Sequence, residues 1–428
     1  MNILINNGSI LIFNKEKAFI QNKNIAIENG IIKYIGKVPD DFHYDKCIDA
    51  TDKLIMPGLI NTHTHLPMSL LRNYADDLPL WEWLTEKVWP CESKLTEEMI
   101  YWGSLLSIAE LIMSGITCFN DMYNFADIVA RATQDAKMRG CICETLFDKT
   151  RDDSSDFKET RDLFKKWHKS NHDRIRIFVG AHAPYTCSPD YLEKMVPLAK
   201  ELDTGIHIHL SESLKEVEDS FNTYEKSPVK HLYDLGLFDV RTLAAHCVHL
   251  SDEDLQIFKE NHVNVLYNPV SNLKLANGFA PIVKMLKKGI NISLATDSSC
   301  SNNNLNMFEE IKLTSLLNKG ITGDSTAVSA ETALKIATLN GAKALGIDDK
   351  VGSIEVGKCA DMILIDLNKP HLCPRHNLIS LLVYSVQSSD VDTVIVDGNI
   401  LMENRQLTTI DLNTVMKNIQ SCAESLTK

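Results

Sequence analysis

The sequence lacks any apolar run of about 18 residues, the length that a membrane-spanning helix needs. It also lacks a block of Lys and Arg, because 44 basic residues stand against 57 acidic ones and the formal net charge is -13. Nucleic-acid phosphates require cationic protein surfaces. The two absences therefore argue against a membrane and against nucleic acid as partners.

Cysteine pairing motifs are absent as well. The 11 cysteines include Cys141 and Cys143, but no Cys-x-x-Cys pair occurs. Scattered cysteines in a chain of this length are typical of reduced thiols in a cytosolic protein. Residues 1–12 mix asparagine with apolar residues and the first basic residue is Lys15, which is not the pattern of a signal peptide. The sequence therefore predicts a cytoplasmic protein.

Short strands are predicted at both ends of the chain. They lie at residues 3–5, 9–13, 24–28, 31–35, 362–366 and 393–396. Asn7-Gly8 and Asn29-Gly30 separate runs of this kind, and Asn-Gly in that position predicts a hairpin turn. Asp397-Gly398 follows the last run in the same way. The two ends together predict a composite β-sandwich domain of residues 1–57 and 352–428.

The middle of the chain alternates short apolar runs with helical patterns, as parallel β/α units do. Eight strands are predicted there, the number that a closed β/α barrel needs. They lie at residues 59–61, 117–120, 142–146, 176–180, 205–209, 242–245, 264–267 and 292–295. The predicted fold class is α/β: a (β/α)8 TIM-like barrel of residues 58–351, with a small β-sandwich domain formed by both chain ends.

Side chains with useful chemistry follow several of these strands. In strand order they are His63, His65, His182, His209, Glu212, His246 and Asp297. The C-terminal ends of barrel strands meet at one mouth, where active sites lie. Residues that are far apart in the sequence are therefore expected in one pocket.

His63 and His65 are two residues apart, and such residues point to the same side of an extended strand end. Both imidazoles can then face one ion. Imidazole and carboxylate ligands suit zinc, although iron and manganese are also possible. His-x-His also occurs by chance, but His209, His246 and Asp297 at later strand ends favour a metal site.

Two positions allow more than one interpretation. His207 and His209 also share a face; His209 lies nearer the mouth, whereas His207 could fill the barrel interior. His249 is interpreted as a loop residue or as support for the site. A lone Asp at a strand end is often a helix cap, but Asp297 beside a cation would stay ionised, bind the metal and accept a proton.

Three segments resemble the amidohydrolase superfamily and, within it, the 5′-methylthioadenosine/S-adenosylhomocysteine deaminases. They are residues 57–65 (PGLINTHTH), residues 351–362 (VGSIEVGKCADM) and residues 268–275 (NPVSNLKL), the last followed by Ala-Thr-Asp at 295–297 and Ser-Asn-Asn at 301–303. The resemblance extends over nearly the whole chain.

The resemblance implies roles at individual positions. The implied ligands of one divalent metal ion, zinc in first place and Fe²⁺ or Mn²⁺ otherwise, are His63, His65, His209 and Asp297. The implied catalytic residues are Glu212, His246 and Asp297. The implied substrate-binding residues are Glu92, His182, Glu212 and Asp297. The family also implies a homo-oligomer.

The implied reaction is deamination of the purine amine of 5′-methylthioadenosine, S-adenosylhomocysteine or a related adenosine nucleoside, in which hydroxide generated on the metal attacks the ring and ammonia leaves. Binuclear superfamily members carry a bridging carboxylated Lys near the fourth strand, and this sequence has none there, which favours a single metal. Two alternatives remain: deamination or dechlorination of another heterocycle (guanine, cytosine or a triazine) on the same fold, and a catalytically inactive scaffold protein.

One departure from the family concerns the substrate's 5′ tail. These deaminases usually place an Arg just after the third strand, and no Arg stands at that point here. Lys149, Arg151 or Arg161 could substitute, although Lys does not reproduce the planar fork of Arg. The sequence therefore leaves recognition of the tail open.

Overall fold

The computed structural model describes residues 1–13, 17–148 and 153–426. The strands in those residues are β1 Ile3–Phe13, β2 Ala18–Glu28, β3 Ile31–Gly36, β4 Lys46–Asp49, β5 Lys53–Pro57, β6 Leu59–Thr64, β7 Ile116–Tyr123, β8 Arg139–Leu146, β9 Ile175–Ile177, β10 Val179–Ala181, β11 Ile206–Leu210, β12 Thr242–His246, β13 Asn264–Tyr267, β14 Asn291–Leu294, β15 Met362–Asp366, β16 Val391–Val396, β17 Asn399–Glu403 and β18 Gln406–Leu407.

Helices connect most of the central strands. They are α1 Leu80–Glu82, α2 Trp89–Glu92, α3 Glu97–Met113, α4 Ala126–Asp135, α5 Asp153–Trp167, α6 Ser170–Asp173, α7 Pro189–Glu201, α8 Leu214–Tyr224, α9 Pro228–Asp234, α10 Asp252–Glu260, α11 Pro269–Lys274, α12 Ile282–Lys288, α13 Met307–Thr322, α14 Ala330–Ala337, α15 Leu339–Leu345, α16 Leu378–Tyr384 and α17 Leu412–Leu426. A π-helical turn, Trp83–Val88, joins α1 to α2. Across the described ranges, no helix is both long enough and apolar enough to cross a membrane.

The central strands form a parallel barrel in the order β14-β13-β12-β11-β10-β8-β7-β6. Hydrogen bonds join its two end strands. The Thr62 hydroxyl donates to the Leu294 carbonyl oxygen over 3.0 Å, and the Asp297 amide donates to the His63 carbonyl oxygen over 3.0 Å. The predicted α/β class and the TIM-like barrel are confirmed.

The fourth predicted strand, at residues 176–180, is divided in two. β9 pairs with β8 and β10 continues beyond Phe178. The register does not change across the break, since Ile142 lies opposite Ile177 and Thr145 lies opposite Gly180. The prediction was right in position, but the strand is interrupted at Phe178.

Strands from both chain ends form one further sheet in the order β18-β17-β16-β15-β5-β1-β2-β3, with β4 paired to β1. The two ends meet where β5 pairs antiparallel with β15. One face of the sheet covers a small cluster rich in isoleucine, including Ile3 and Ile25, and the other face joins the main core. The domain boundaries at residues 57 and 351 stay a prediction.

The hairpin predicted at Asn7-Gly8 is wrong. β1 runs straight through this dipeptide with a bulge between Ile5 and Gly8, where Asn7 adopts a φ of 63°. A bulge inserts one residue and so exchanges the two faces of a strand. Accordingly, Ile5 before the bulge and Ile10 after it both face the small cluster, although one position is odd and the other even.

The turns predicted at Asn29-Gly30 and Asp397-Gly398 are confirmed, since they join β2 to β3 and β16 to β17. All four residues have positive φ, the conformation of a type I′ hairpin turn. The two turns pack against each other so closely that a Cβ at Gly398 would lie 2.5 Å from the Gly30 Cα. Turns from opposite ends of the chain thus require glycine at their contact.

Candidate metal centre and active site

The predicted site residues converge at the C-terminal ends of the barrel strands. Seven of the eight line one cavity, and these are His65, Glu92, His182, His209, Glu212, His246 and Asp297. The eighth, His63, has no exposed surface and lies against the rings of His65, His209 and His246. The barrel topology therefore brings together residues that span more than 200 positions of sequence.

The ring nitrogens and one carboxylate oxygen converge on a common point. The Nε2 atoms of His65 and His209 are 3.4 Å apart. Oδ1 of Asp297 lies 3.5 Å from His63 Nε2 and 3.4 Å from His65 Nε2. Two ligand atoms bound at about 2.1 Å to one tetrahedral ion are roughly 3.4 Å apart. The spacing therefore suits a common tetrahedral ion.

Hydrogen bonds at Nδ1 orient the four imidazoles that surround this point. The partners of Nδ1 are His207 Nε2 at 2.8 Å for His63, the Met122 carbonyl oxygen at 2.5 Å for His65, the His182 carbonyl oxygen at 2.7 Å for His209 and Asn272 Oδ1 at 2.9 Å for His246. A ring that donates from Nδ1 keeps the lone pair on Nε2. Such outer contacts are typical of metal-binding histidines.

The residues present fit a divalent metal ion. His63 Nε2 is buried and has no hydrogen-bond partner among the described residues. Its atom belongs to two candidate ligand groups: one with His65 and Asp297, the other with His209 and His246. A buried nitrogen without a partner is costly unless a ligand satisfies it. Imidazole and carboxylate donors are those that zinc, iron and manganese accept.

The structure distinguishes the two histidines of β11. His209 lines the cavity, whereas His207 is fully buried and its Nε2 contacts His63. Asn120 and Cys143 contact the other ring nitrogen of His207, over 3.2 Å and 3.7 Å. His209 therefore lies at the cavity, and His207 contacts His63 from inside the barrel.

Glu212 is a buried carboxyl group beside this centre. Burial raises its pKa, while the nearby His246 acts in the opposite direction. Its Oε2 lies 3.7 Å from His246 Nε2, and its Oε1 accepts a hydrogen bond of 2.9 Å from Asn277 Nδ2. A carboxyl with a raised pKa is suited to donating a proton near neutral pH.

Glu92 and His182 both line the cavity. Burial raises the pKa of Glu92, and a hydrogen bond of 2.6 Å from the Tyr123 hydroxyl acts against that rise. Burial lowers the pKa of His182 to about 3, so its ring is neutral. The ring packs on Phe147, with centroids 4.5 Å apart. Both residues can therefore offer oriented polar atoms to a ligand in an otherwise apolar pocket.

Sequence analysis missed the apolar wall of the cavity. The wall comprises Met68, Leu80, Trp83, Leu84, Val88, Trp89, Met122, Phe147 and Leu275. Val88, Leu84 and Leu80 precede Glu92 at intervals of four residues, the spacing of one helix face. That spacing could have predicted the apolar wall, because it places a row of apolar side chains on the same helix face as Glu92.

The region after the third barrel strand also differs from the family pattern. Thr145 and Phe147 line the cavity there. Lys149 and Arg151, two of the possible substitutes for the missing Arg, lie outside the described residues. Arg161 donates to both carboxylate oxygens of Glu201, over 2.8 Å and 2.6 Å, and is not among the residues that line the cavity.

Comparison with known proteins places the chain in a family. Residues 54–401 match the model described as Amidohydrolase family. A curated relative from Thermoanaerobacter pseudethanolicus, named 5-methylthioadenosine/S-adenosylhomocysteine deaminase, is 55% identical over 428 residues, which is 100% of this chain and 99% of the relative. A relative of the same name from Acetivibrio thermocellus is 48% identical, over 99% of each chain.

Solved structures agree on the fold. An adenosine deaminase from Xanthomonas campestris with bound zinc superimposes with a TM-score of 0.95 at 34% identity, over 99% of this chain and 98% of that one. An atrazine chlorohydrolase from Arthrobacter aurescens has a TM-score of 0.92 over 98% of this chain and all of that one, but at 23% identity it shares the fold alone. The match along 54–401, together with the curated relatives, establishes that this chain belongs to the amidohydrolase family.

Proposed function

We propose that this chain is a metal-dependent aminohydrolase that removes the purine amine of 5′-methylthioadenosine, S-adenosylhomocysteine or a related adenosine nucleoside. The observation that carries the proposal is one cavity in which the converging His and Asp ligands lie beside a buried acid, Glu212. The names of the curated relatives and the bound zinc of the Xanthomonas campestris adenosine deaminase support the substrate class and the metal.

The proposed ligands of one zinc ion are His63, His65, His209 and Asp297. His246 Nε2 also lies near His63, but its contact with Glu212 places it toward the reacting groups. A bound zinc ion would supply a Lewis acid that lowers the pKa of water to about 7. The substrate's amine-bearing carbon would then meet an activated water in the cavity.

Asp297 and His246 prepare the water. Asp297 Oδ2 accepts hydrogen bonds from the hydroxyls of Ser271 and Ser301, which leaves Oδ1 directed at the centre, where it can take a proton from the water. His246 has its Nδ1 bonded to Asn272, so its Nε2 can accept a hydrogen bond from the same water and orient it.

Glu212 completes the addition of water to the ring. As the water oxygen bonds to the ring carbon, the electron pair of the broken C=N bond moves to the adjacent ring nitrogen, which takes the proton of Glu212. Asp297 passes its proton to the amine, which leaves as ammonia. The remaining hydroxyl proton of the adduct returns to Glu212, so the enzyme's protons balance.

Glu92 is proposed to hold the ribose hydroxyls. Its carboxyl lies in the cavity wall, fixed by Tyr123, and can accept hydrogen bonds from vicinal hydroxyl groups. His182 contributes a neutral ring to the same cavity. A free base would leave the buried Glu92 carboxyl without these partners, which costs affinity. The homo-oligomer and the cytoplasmic location stay predictions from the sequence.

An ammonia-release screen tests the function. The panel consists of adenosine, 5′-methylthioadenosine, S-adenosylhomocysteine, guanine and cytosine, and a Glu92→Gln variant serves as the matched control. We expect the highest kcat/KM on the three nucleosides and a loss confined to the nucleosides in Glu92→Gln. Turnover of the free bases alone would contradict the proposal.

A further inference from the structure

The motif at residues 268–275 supplies no side chain that itself reacts, but its Ser271 and Asn272 contact Asp297 and His246, which do. It follows β13 and lies between the strand that ends in His246 and the strand that precedes Asp297. Its polar side chains are buried: Asn272 is 1% exposed and Ser271 is fully buried, while Asn277 just beyond α11 is 7% exposed. Buried polar side chains require partners.

We propose that Ser271, Asn272 and Asn277 are positioning residues, and that this one segment sets the orientation of all three catalytic side chains. The proposal rests on the proposed function only for the roles of those side chains. Each of the three residues contacts a different one of these catalytic side chains.

Asn277 fixes Glu212. Its Nδ2 donates to Oε1 of Glu212 over 2.9 Å, and Oε2 of Glu212 is the oxygen nearer His246. An N–H donor pairs with an oxygen that bears no proton. Asn277 therefore confines the acidic proton to Oε2, the oxygen on the side of the reacting groups. The Asn277 backbone is itself held, since His249 Nε2 donates to its carbonyl oxygen over 2.7 Å.

Asn272 fixes His246. Its Oδ1 accepts the hydrogen bond from Nδ1 over 2.9 Å, and the ring then presents Nε2 toward Glu212. The backbone of His246 has a φ of 70°, a conformation that a residue with a side chain rarely adopts. The orientation of the His246 ring is thus fixed by the backbone conformation of His246 and by the hydrogen bond to Asn272.

Ser271 fixes Asp297. Its hydroxyl donates to Oδ2 over 2.5 Å, and the Ser301 hydroxyl donates to the same oxygen over 2.9 Å. With Oδ2 held in this way, Oδ1 is the oxygen that lies 3.5 Å from His63 Nε2. Outer contacts of this kind change metal affinity or activity by about 10- to 100-fold when they are removed.

The segment also couples the three contacts. The Asn277 amide donates to the Asn272 carbonyl oxygen over 2.8 Å, and α11 carries Ser271 and Asn272 as neighbours. A short, buried, internally bonded element can therefore keep the relative orientation of acid, imidazole and carboxylate. This explains why the motif is polar, although its position in the fold is that of a core element.

The test uses four single variants of the zinc-loaded protein: Ser271→Ala, Asn272→Ala, Asn277→Ala and Asn277→Leu, in which an apolar side chain of similar size replaces the amide. Asn318→Ala is the matched control, because Asn318 is a buried Asn in α13 that donates to the Thr314 carbonyl oxygen and does not line the cavity. The measurements are kcat, KM, zinc content after dialysis against a chelator, Tm and crystal structures.

We expect both Asn277 variants to lower kcat by at least about 10-fold, with KM within threefold and zinc content unchanged. Asn277→Leu fills a similar volume but has no N–H to donate, so a role in packing alone would leave kcat near that of the parent in this variant. Asn272→Ala should lower kcat similarly. Ser271→Ala should release zinc to the chelator at a concentration about 10-fold lower than the parent does.

The crystal structures provide a result that does not depend on any substrate. We expect the Glu212 carboxyl to rotate in Asn277→Ala and the His246 ring to rotate in Asn272→Ala, with both unchanged in Asn318→Ala. Side chains that keep their places in the first two variants would overturn the proposal, as would equal kcat losses in Asn318→Ala. A parent that releases no ammonia would overturn the proposed function alone, because the rotations would still be measurable.

Discussion

Glu212 has the environment that a proton donor needs. Burial raises its pKa and Asn277 occupies one of its oxygens, so the other can carry the transferred proton. A general acid of this kind contributes about 10²- to 10⁴-fold to the rate. We therefore predict that Glu212→Gln loses at least about 100-fold in kcat, since the amide cannot supply an acidic proton.

The zinc content of the variant distinguishes a role of Glu212 as proton donor from a role in holding the site together. Glu212→Gln should retain zinc in the parent ratio, because Glu212 is not among the proposed ligands. Glu218→Gln, an exposed position on the following helix, is the matched control and should behave like the parent. Full activity of Glu212→Gln, or loss of its zinc, would contradict the assignment.

His168 makes stability depend on pH at a site away from the cavity. Burial, followed by the nearby Lys169 and Arg176, lowers its pKa to about 4. Its neutral Nδ1 accepts a hydrogen bond of 3.2 Å from the Ile177 amide in β9, and its ring stacks on Phe164. A protonated ring cannot accept that bond.

The direction in which stability changes with pH follows from the number of protons bound by the folded and the unfolded chain. The ordinary His pKa of 6.5 applies to the unfolded chain, so between pH 6.5 and about 4 the unfolded state binds more protons than the folded state. The contribution of His168 is therefore fully present above pH 6.5 and is lost as the pH falls toward 4. We predict that Tm falls less steeply with acidification in His168→Asn, whose Oδ1 can accept the same bond.

Thermal unfolding at pH 7 and pH 5 in excess zinc measures this difference. His43→Asn, at an exposed ring, is the control and should follow the parent. Parallel curves for parent and His168→Asn would show that His168 does not contribute to the acid sensitivity.

At the level of single residues, the convergence of the predicted site residues on one cavity was predictable, because barrel topology assigns strand ends to one mouth. His63, His65 and Asp297 needed only that rule. Spacing alone does not separate His207 from His209; the position of His209 nearer the strand end favoured it, and His209 does line the cavity while His207 is buried in the barrel. Asn277 could not be found, since nothing local to its sequence relates it to Glu212.

At the scale of secondary-structure elements, one dipeptide produced two different structures. Asn29-Gly30 makes a hairpin turn, but Asn7-Gly8 makes a bulge within β1. The local sequence signal is the same in both places. At the bulge, two hydrogen bonds hold Asn7. Its backbone amide donates to Asn24 Oδ1 over 3.1 Å, and its Nδ2 donates to Asp49 Oδ1 over 3.2 Å. These partners are distant in sequence and determine whether Asn-Gly forms a turn or a bulge. Local sequence periodicity does not reveal them.

The contact between the two hairpin turns gives a prediction for the composite sheet. Gly398 has a φ of 68°, and a Cβ there would lie 2.5 Å from the Gly30 Cα. Since the atoms that the added Cβ would meet belong to the Gly30 backbone, the clash cannot be relieved by rotating a side chain. We predict that Gly398→Ala lowers the free energy of unfolding by about 1–2 kcal/mol for its positive φ and by a further 1–3 kcal/mol or so for the clash.

Gly323→Ala is a control with nearly the same backbone. Gly323 has a φ of 66°, and nothing lies within 4 Å of its added Cβ. The difference between the two variants in denaturant unfolding therefore measures the packing of the turns alone. Equal destabilisation would mean that the two turns separate without cost.

At the scale of the whole molecule, the proposed metal joins parts of the barrel that are remote in sequence. His63 belongs to β6, His209 to β11, and Asp297 follows β14, the strand that lies beside β6 at the barrel seam. A ligand that binds only the folded state stabilises it according to its free concentration. An ion held by these residues should therefore stabilise the closed barrel as well as supply chemistry.

We predict that removing the metal with a chelator lowers Tm by several degrees and that added zinc restores it. At free zinc 1,000 times the Kd the stabilisation is about 4.1 kcal/mol. His65→Ala is the control, since it removes a proposed ligand whose side chain is partly exposed, and its Tm should respond much less to zinc. If the chelated and zinc-loaded parent proteins unfold at the same temperature, the four residues do not hold the ion.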